Sequence, residues 1–206
     1  MNPWMEVSLT DYEAHMTSAA VDQAAALSEL FAEALKLRGP ESVAILGVAG
    51  GNGLERIDSS CTHRIVGIDL NPDYLQAAQA RFSALPGLEL HAIDLSHAKV
   101  SLEPVALVHA ALIFEHAGTG GCLENALALV THNGAFSVVL QIPGETSANV
   151  GDSGVESVKK FAGHFSLIDR DEFTKTLARR GFELSHEKLH PVPAGKQLWL
   201  GVFVRS

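Results

Sequence analysis

An alternation of two hydrophobic patterns limits what this chain can fold into. Five short apolar runs, "SVAILGV" (42–48), "HRIVGIDL" (63–70), "LELHAID" (88–94), "VALVHAALIF" (105–114) and "AFSVVLQI" (135–142), carry apolar residues at successive positions. That is the pattern of strands covered on both faces. Other segments repeat their apolar residues at helical spacing. "DQAAALSELFAEALKL" (22–37) places Leu27, Leu30, Phe31, Ala34 and Leu35 on one face. "NPDYLQAAQARFSAL" (71–85) opens with Asn71, suited to the N-cap, and Pro72, suited to the first turn. "LENALALV" (123–130) is helical and is expected to stop at Asn133-Gly134, and "DRDEFTKTLARRGF" (169–182) is a further helix ending near Gly181. Alternating strand and helix predicts a mostly parallel, doubly wound sheet with helices on both faces. At the end, "FELSHEKLHPV" and "KQLWLGVFV" flank "PAG" (193–195), the signal of an antiparallel hairpin, which brings the expected strands to seven.

The 206 residues suffice for one core, so residues 1–206 are expected to form a single domain. An insertion is expected after the fifth strand, at about 143–168, where Gly, Ser and Pro are frequent. No run reaches the roughly 18 apolar residues that a membrane span needs. The start, "MNPWMEVSLTDYEAHM", lacks the basic and apolar parts of a secretory signal, so the cytoplasm is the expected compartment. Cys61 and Cys122 have no metal-ligand spacing. A net charge of -9 without a Lys/Arg stripe disfavours nucleic acid as a partner, since "VKKF" (158–161) and "ARRGF" (178–182) are only short basic spots. A monomer or a homodimer is expected.

Between the first strand and the next helix lies "GVAGGNGLERID" (47–58), with glycines at 47, 50, 51 and 53. At the carboxyl edge of a parallel sheet such a turn lets a ligand approach the backbone. A P-loop would require Gly-Lys-Ser/Thr, but Leu54 and Glu55 follow Gly53. The dinucleotide fingerprint started at Gly51 and Gly53 meets Arg56 at its third glycine. Two acids each close a strand. Asp69 is placed to accept both hydroxyls of a ribose, and Asp94 an adenine amino group, with Leu70 and Leu95 beside the base. Each acid can equally cap the helix that follows it.

These segments carry a resemblance. "VAILGVAGGNG", "VGIDLNPDYLQAAQARF" and "LHAIDL" resemble the first three motifs of the class I S-adenosylmethionine-dependent methyltransferases, over roughly residues 42–142, and the terminal hairpin matches that fold. The resemblance implies a Rossmann-like sheet, S-adenosyl-L-methionine as cofactor and a small-molecule methyl acceptor. By the same resemblance Gly47, Ala49, Gly51 and Asn52 approach the methionine part of the cofactor, Asp69 holds the ribose, and Asp94 with Leu95 holds the adenine, Leu70 lying with Leu95 against the base. Two positions depart from the family's pattern: its usual acid is Gly47 here, and its first loop glycine is Ala49. A backbone carbonyl near Ala110 is then expected to receive the cofactor's ammonium.

Methyl transfer needs an aligned nucleophile and, for a hydroxyl or ammonium, removal of a proton. In "HAALIFEHAG" (109–118), His116 and Glu115 follow the fourth strand and are the candidate bases, although a histidine at a loop start also commonly bonds a neighbour. His109 is expected to be a core residue. The N-terminal helical part, about 1–38, is expected to act as a lid, with Tyr12 and His15 facing substrate; Gln141 is expected to bound the acceptor pocket. No metal is expected, because His91, Asp94 and His97 need not converge. The alternatives are a nucleoside-cofactor-binding protein without methyl transfer, regulatory or with other chemistry on S-adenosylmethionine, and an NAD(P)-dependent oxidoreductase.

Overall fold

The computed structural model describes residues 2–144 and 150–205. Seven strands form one sheet: β1 (Ser42–Leu46), β2 (Arg64–Asp69), β3 (Leu88–Ala92), β4 (Val105–Ala111), β5 (Val130–Ile142), β6 (Phe182–Pro191) and β7 (Gln197–Arg205). Their order is β3-β2-β1-β4-β5-β7-β6. The first five are parallel, and β7 runs antiparallel between β5 and β6. The expected hairpin is therefore present, with its second strand inserted next to β5.

The continuous apolar runs are explained by burial on both faces. Ala44, Leu46, Val66 and Ile68 point into one hydrophobic layer with Phe114, Cys122, Leu127, Phe173 and Leu177. Val43, Ile45 and Ile65 point into the other, with Leu27, Leu30, Phe31 and Ala34. The first layer is covered by α5 (Gly121–Ala128) and α6 (Arg170–Arg179), which come after α1 (Leu9–Thr17), α2 (Gln23–Arg38), α3 (Pro72–Arg81) and α4 (Phe114–Ala117) in the chain. The second layer is covered by α2. Leu30 and Phe31 are almost fully buried, so α2 belongs to the core. The Asn71 side chain accepts the Asp73 N–H at 2.9 Å and Pro72 starts α3, as the sequence predicts.

Three boundaries differ from expectation. β3 ends at Ala92 and β4 at Ala111, short of the expected 94 and 114, so Asp94 lies beyond its strand, while Glu115 and His116 follow the fourth strand as expected. α5 ends at Ala128, and Asn133-Gly134 falls inside β5 and does not stop the helix. There β5 advances from Val130 to Ala135 while β4 advances only from Val105 to Leu107, a bulge that absorbs a turn-like dipeptide.

Of the expected insertion, residues 145–149 lie outside the described residues. The rest includes a 3-10 helix at Glu156–His164 that packs on the N-terminal segment. Val158 and Phe161 join Val7, Trp4 and Tyr12 in a small apolar cluster. Ser157 donates to Asp11 at 2.7 Å, and Lys160 pairs with Glu6 at 2.6 Å.

Candidate active site

A cavity of about 640 Å³ lies at the carboxyl ends of β1, β2 and β4, beneath the N-terminal segment and the Glu156–His164 helix. This is the edge where open α/β sheets bind ligands. Gly47, Ala49, Asp69, Leu70, Asp94 and Leu95 all border it. So do Tyr12, His15, Gln141 and His116, which the sequence assigned to the acceptor side.

The turn after β1 is held by the acid that closes β2. One Asp69 oxygen accepts the Ala49 N–H at 2.8 Å and the other accepts the Asn71 N–H at 2.9 Å. Burial pushes the Asp69 pKa up, against these hydrogen bonds and one from the Leu70 N–H. Ala49 has φ +46, in the left-handed region that disfavours a Cβ. Gly47 has φ +72, and a Cβ built there would meet only the Ile113 side chain, at 3.4 Å.

Asp94 sits two residues past β3. Its carboxylate accepts the Ser96 N–H at 2.9 Å and contacts His97 Nδ1 at 2.9 Å. Burial works against its charge, but these hydrogen bonds bring its pKa below the ordinary value.

Four expected residues lie elsewhere. Gly51 and Asn52 border a second groove of about 280 Å³, with Arg81 and Phe82, which shares Tyr12, Met16 and Ala49 with the cavity. A Cβ on Gly51 would come within 2.6 Å of the Phe82 ring, which explains the bare backbone there by packing. Ala110 is fully buried in the core, and the cavity wall is made by Ala111, Leu112 and Ile113. Glu115 is turned inward: one oxygen accepts the Gln141 N–H at 2.8 Å, and the other has no hydrogen-bond partner among the described residues. Burial pushes its pKa up to about 7.

His116 stands at the cavity wall among aromatic rings. Trp4 lies 4.8 Å away edge-to-face, Phe165 at 5.2 Å and Phe161 at 5.7 Å, centroid to centroid. Burial, with a smaller effect of His164, lowers its pKa to about 4, so the ring is neutral at pH 7. His109 is a core residue bonded to Ser137 at 2.9 Å, its pKa lowered to about 3 by burial. His15 Nδ1 meets the Ser153 hydroxyl at 2.8 Å, and Gln141 accepts from the Gln23 amide at 3.1 Å. Among the described residues no group of three or more His, Cys, Asp or Glu side chains is arranged to hold a metal ion.

Sequence reasoning missed Trp4, Gln23, Ile113, Phe161, His164 and Phe165, all of which border the cavity. They come from segments remote in sequence and lack any motif. In the structure the Asn2 side chain accepts the Trp4 N–H at 3.1 Å and caps the short 3-10 turn that carries Trp4.

No protein-family model and no curated protein sequence matches the chain. Solved structures do. The N-methyltransferase NodS from Bradyrhizobium japonicum WM9, in complex with S-adenosyl-L-homocysteine, superposes with a TM-score of 0.66 at 14% identity, over 89% of this chain and 87% of that one. The fold is the methyltransferase fold. The magnesium protoporphyrin IX methyltransferase ChlM from Synechocystis PCC 6803 shares it at a TM-score of 0.64 and 13% identity, over 87% and 82% of the two chains. So does the 1,6-didemethyltoxoflavin-N1-methyltransferase from Burkholderia thailandensis, at 0.62 and 15%, over 89% and 78%. In this methyltransferase fold the β7 strand between β5 and β6 departs from the 3-2-1-4-5-6 order of dinucleotide-binding sheets.

Proposed function

We propose that the chain is an enzyme that transfers the methyl group of S-adenosyl-L-methionine to a small-molecule acceptor by direct displacement. One observation carries this reading: a single cavity at the carboxyl edge of a methyltransferase-type sheet joins the β1 turn, Asp69 and Asp94 to His116, Tyr12, His15 and Gln141. Its volume suits a nucleoside cofactor with a small acceptor beside it. The structural relatives described with S-adenosylhomocysteine support the same cofactor.

The residues present fit that cofactor at its nucleoside part. Asp69 keeps lone pairs beyond its two short backbone bonds and borders the cavity, so it is assigned to the ribose hydroxyls. Asp94, Leu70 and Leu95 are assigned to the adenine. At the amino-acid part Gly47 borders the cavity without a side chain. When bound, the cofactor supplies an electrophilic methyl on a sulfonium. The chain's own work is then to hold the acceptor, exclude water and take up a proton, which His116 can do in its neutral form.

Residues 1–206 are proposed to act as one domain, with residues 2–17 and the Glu156–His164 helix as its cover. A cytoplasmic location is supported by two free cysteines, Cys61 exposed and Cys122 buried. No helix among the described residues is long and apolar enough to cross a membrane. The acidic balance supports a small acceptor over a nucleic acid, and a monomer or homodimer is carried as the assembly.

Calorimetric titration with S-adenosylmethionine, S-adenosylhomocysteine and NADH tests the reading. Binding of both sulfur nucleosides without NADH is expected. Binding of none would favour a protein that has lost its cofactor through the changes at Gly47 and Ala49, and binding of NADH alone would replace the reading with an oxidoreductase.

A further inference from the structure

The two ends of the cavity differ in chemistry. Among the described residues that border it, Asp69 and Asp94 are the only carboxylates, and there is no lysine or arginine. The end near α4 is instead walled by four rings from three separate segments: Trp4, His116, Phe161 and Phe165. Trp4 and Phe161 are stacked, with centroids 4.1 Å apart and planes 25° apart, and His116 meets Trp4 at 89° and Phe165 at 81°.

Each segment is tied down. The Asn71 amide donates to the Trp4 carbonyl at 2.8 Å, and the Ser166 N–H donates to the Glu115 carbonyl at 2.7 Å beside Phe165. Nearby charges are engaged with one another, Lys160 with Glu6 and Lys159 with Glu156, and Glu115 points into the core.

An anionic or cationic acceptor entering this end would shed water and meet no carboxylate, lysine or arginine among the described residues there, the imidazoles of His116 and His164 being the titratable groups that border it. A flat neutral ring finds edges and faces of other rings, the arrangement that adds to simple apolar burial. On the reading of the cavity as a methyltransferase site, we infer that the acceptor is an uncharged planar aromatic molecule bearing a hydroxyl or ring N–H, held by Trp4, Phe161 and Phe165 with that group toward His116. His116, neutral because it is buried, stands in this wall and offers a nitrogen to the acceptor's polar hydrogen.

The test is calorimetric titration of the full chain, alone and saturated with S-adenosylhomocysteine, with four probes: 2-naphthol, its saturated counterpart decahydro-2-naphthol, 2-naphthoate and hexylammonium. The expected result is saturable binding of 2-naphthol, about ten-fold tighter than any other probe. Trp4→Leu and Phe161→Leu keep apolar bulk without a ring; each should weaken 2-naphthol about three- to ten-fold and leave S-adenosylhomocysteine affinity unchanged. Equal affinity for the saturated alcohol, or preference for hexylammonium or 2-naphthoate, would overturn the inference. So would absence of 2-naphthol binding to a protein that binds S-adenosylhomocysteine, an outcome that leaves the proposed cofactor standing. If the nucleoside fails to bind while 2-naphthol still does, the ring site is retained and the methyltransferase reading is the one that falls.

Discussion

Asp69, the last residue of β2, accepts the backbone N–H of Ala49 at 2.8 Å and thereby fixes the turn that follows β1. The same residue, though buried, borders the cavity, so one side chain both shapes the turn and stands where a ligand would bind. Asp69→Ala is expected to weaken S-adenosylhomocysteine binding by about 1.5–3 kcal/mol, the range for hydrogen bonds to a charged group. It should also lower the unfolding temperature, because the Ala49 and Asn71 N–H groups lose their acceptor. A lower unfolding temperature with unchanged affinity would confine Asp69 to its structural bond.

Ala49 carries its Cβ at φ +46. Ala49→Gly removes that strain at the cost of a freer unfolded chain, and the balance is expected to stabilise the protein by up to about 1 kcal/mol. A urea-unfolding midpoint shifted to higher concentration would show it; a lower midpoint would mean that the turn tolerates the Cβ without strain.

Glu115 gives stability a defined pH dependence. Its folded pKa is raised to about 7 from 4.5, so below 4.5 it is protonated in both states and costs nothing. As pH rises from 4.5 toward 7 the unfolded chain ionises first, and stability falls by about 3 kcal/mol from this group. His116 and His109, with pKa values lowered to about 4 and about 3, act in the opposite sense: their contribution is lost in acid and is complete above the ordinary histidine value of 6.5. Glu115→Gln keeps an acceptor for the Gln141 N–H and removes the charge. The difference between variant and wild type, followed by denaturant unfolding from pH 4.5 to 7.5, should therefore grow with pH in the variant's favour. A flat difference would show that Glu115 ionises normally.

His116→Ala should reduce turnover of a hydroxyl or N–H acceptor by about a hundred-fold or more, while S-adenosylhomocysteine affinity stays as in wild type. An unaltered rate would dismiss it as the proton acceptor and leave it as part of the wall.

Glu13 on α1 forms an ion pair with Arg81 on α3, and Arg81 also donates to the Gly50 carbonyl at 3.2 Å. Both side chains are partly exposed, so Glu13→Gln should change global stability by less than about 1 kcal/mol. Its effect should appear locally, as faster amide exchange of Leu9–Thr17 relative to the sheet. Unchanged exchange would mean that Tyr74, which donates to the Val7 carbonyl at 2.9 Å, holds the cover without help from this pair.

The sequence by itself determined the sheet and the placing of Asp69 and Asp94 at its carboxyl edge. Runs such as "VAIL" in β1 are apolar on both faces because both faces are covered, and that requirement shows at successive positions of one segment. Asp69 and Asp94 were legible for the same reason: a strand end fixes where its next residues lie, so position in the chain is position at the sheet edge. Tertiary structure alone decided the rest. Ala110 and Ala111 are adjacent, yet the strand's alternation sends the first into the core and places the second at the cavity. Glu115 and His116 are adjacent, yet on α4 one turns inward to Gln141 and the other meets the rings. Trp4 and Phe161 are stacked across 157 positions of chain. No local pattern encodes such a contact, because it forms only when the N-terminus and the segment after β5 close over the same edge of the sheet.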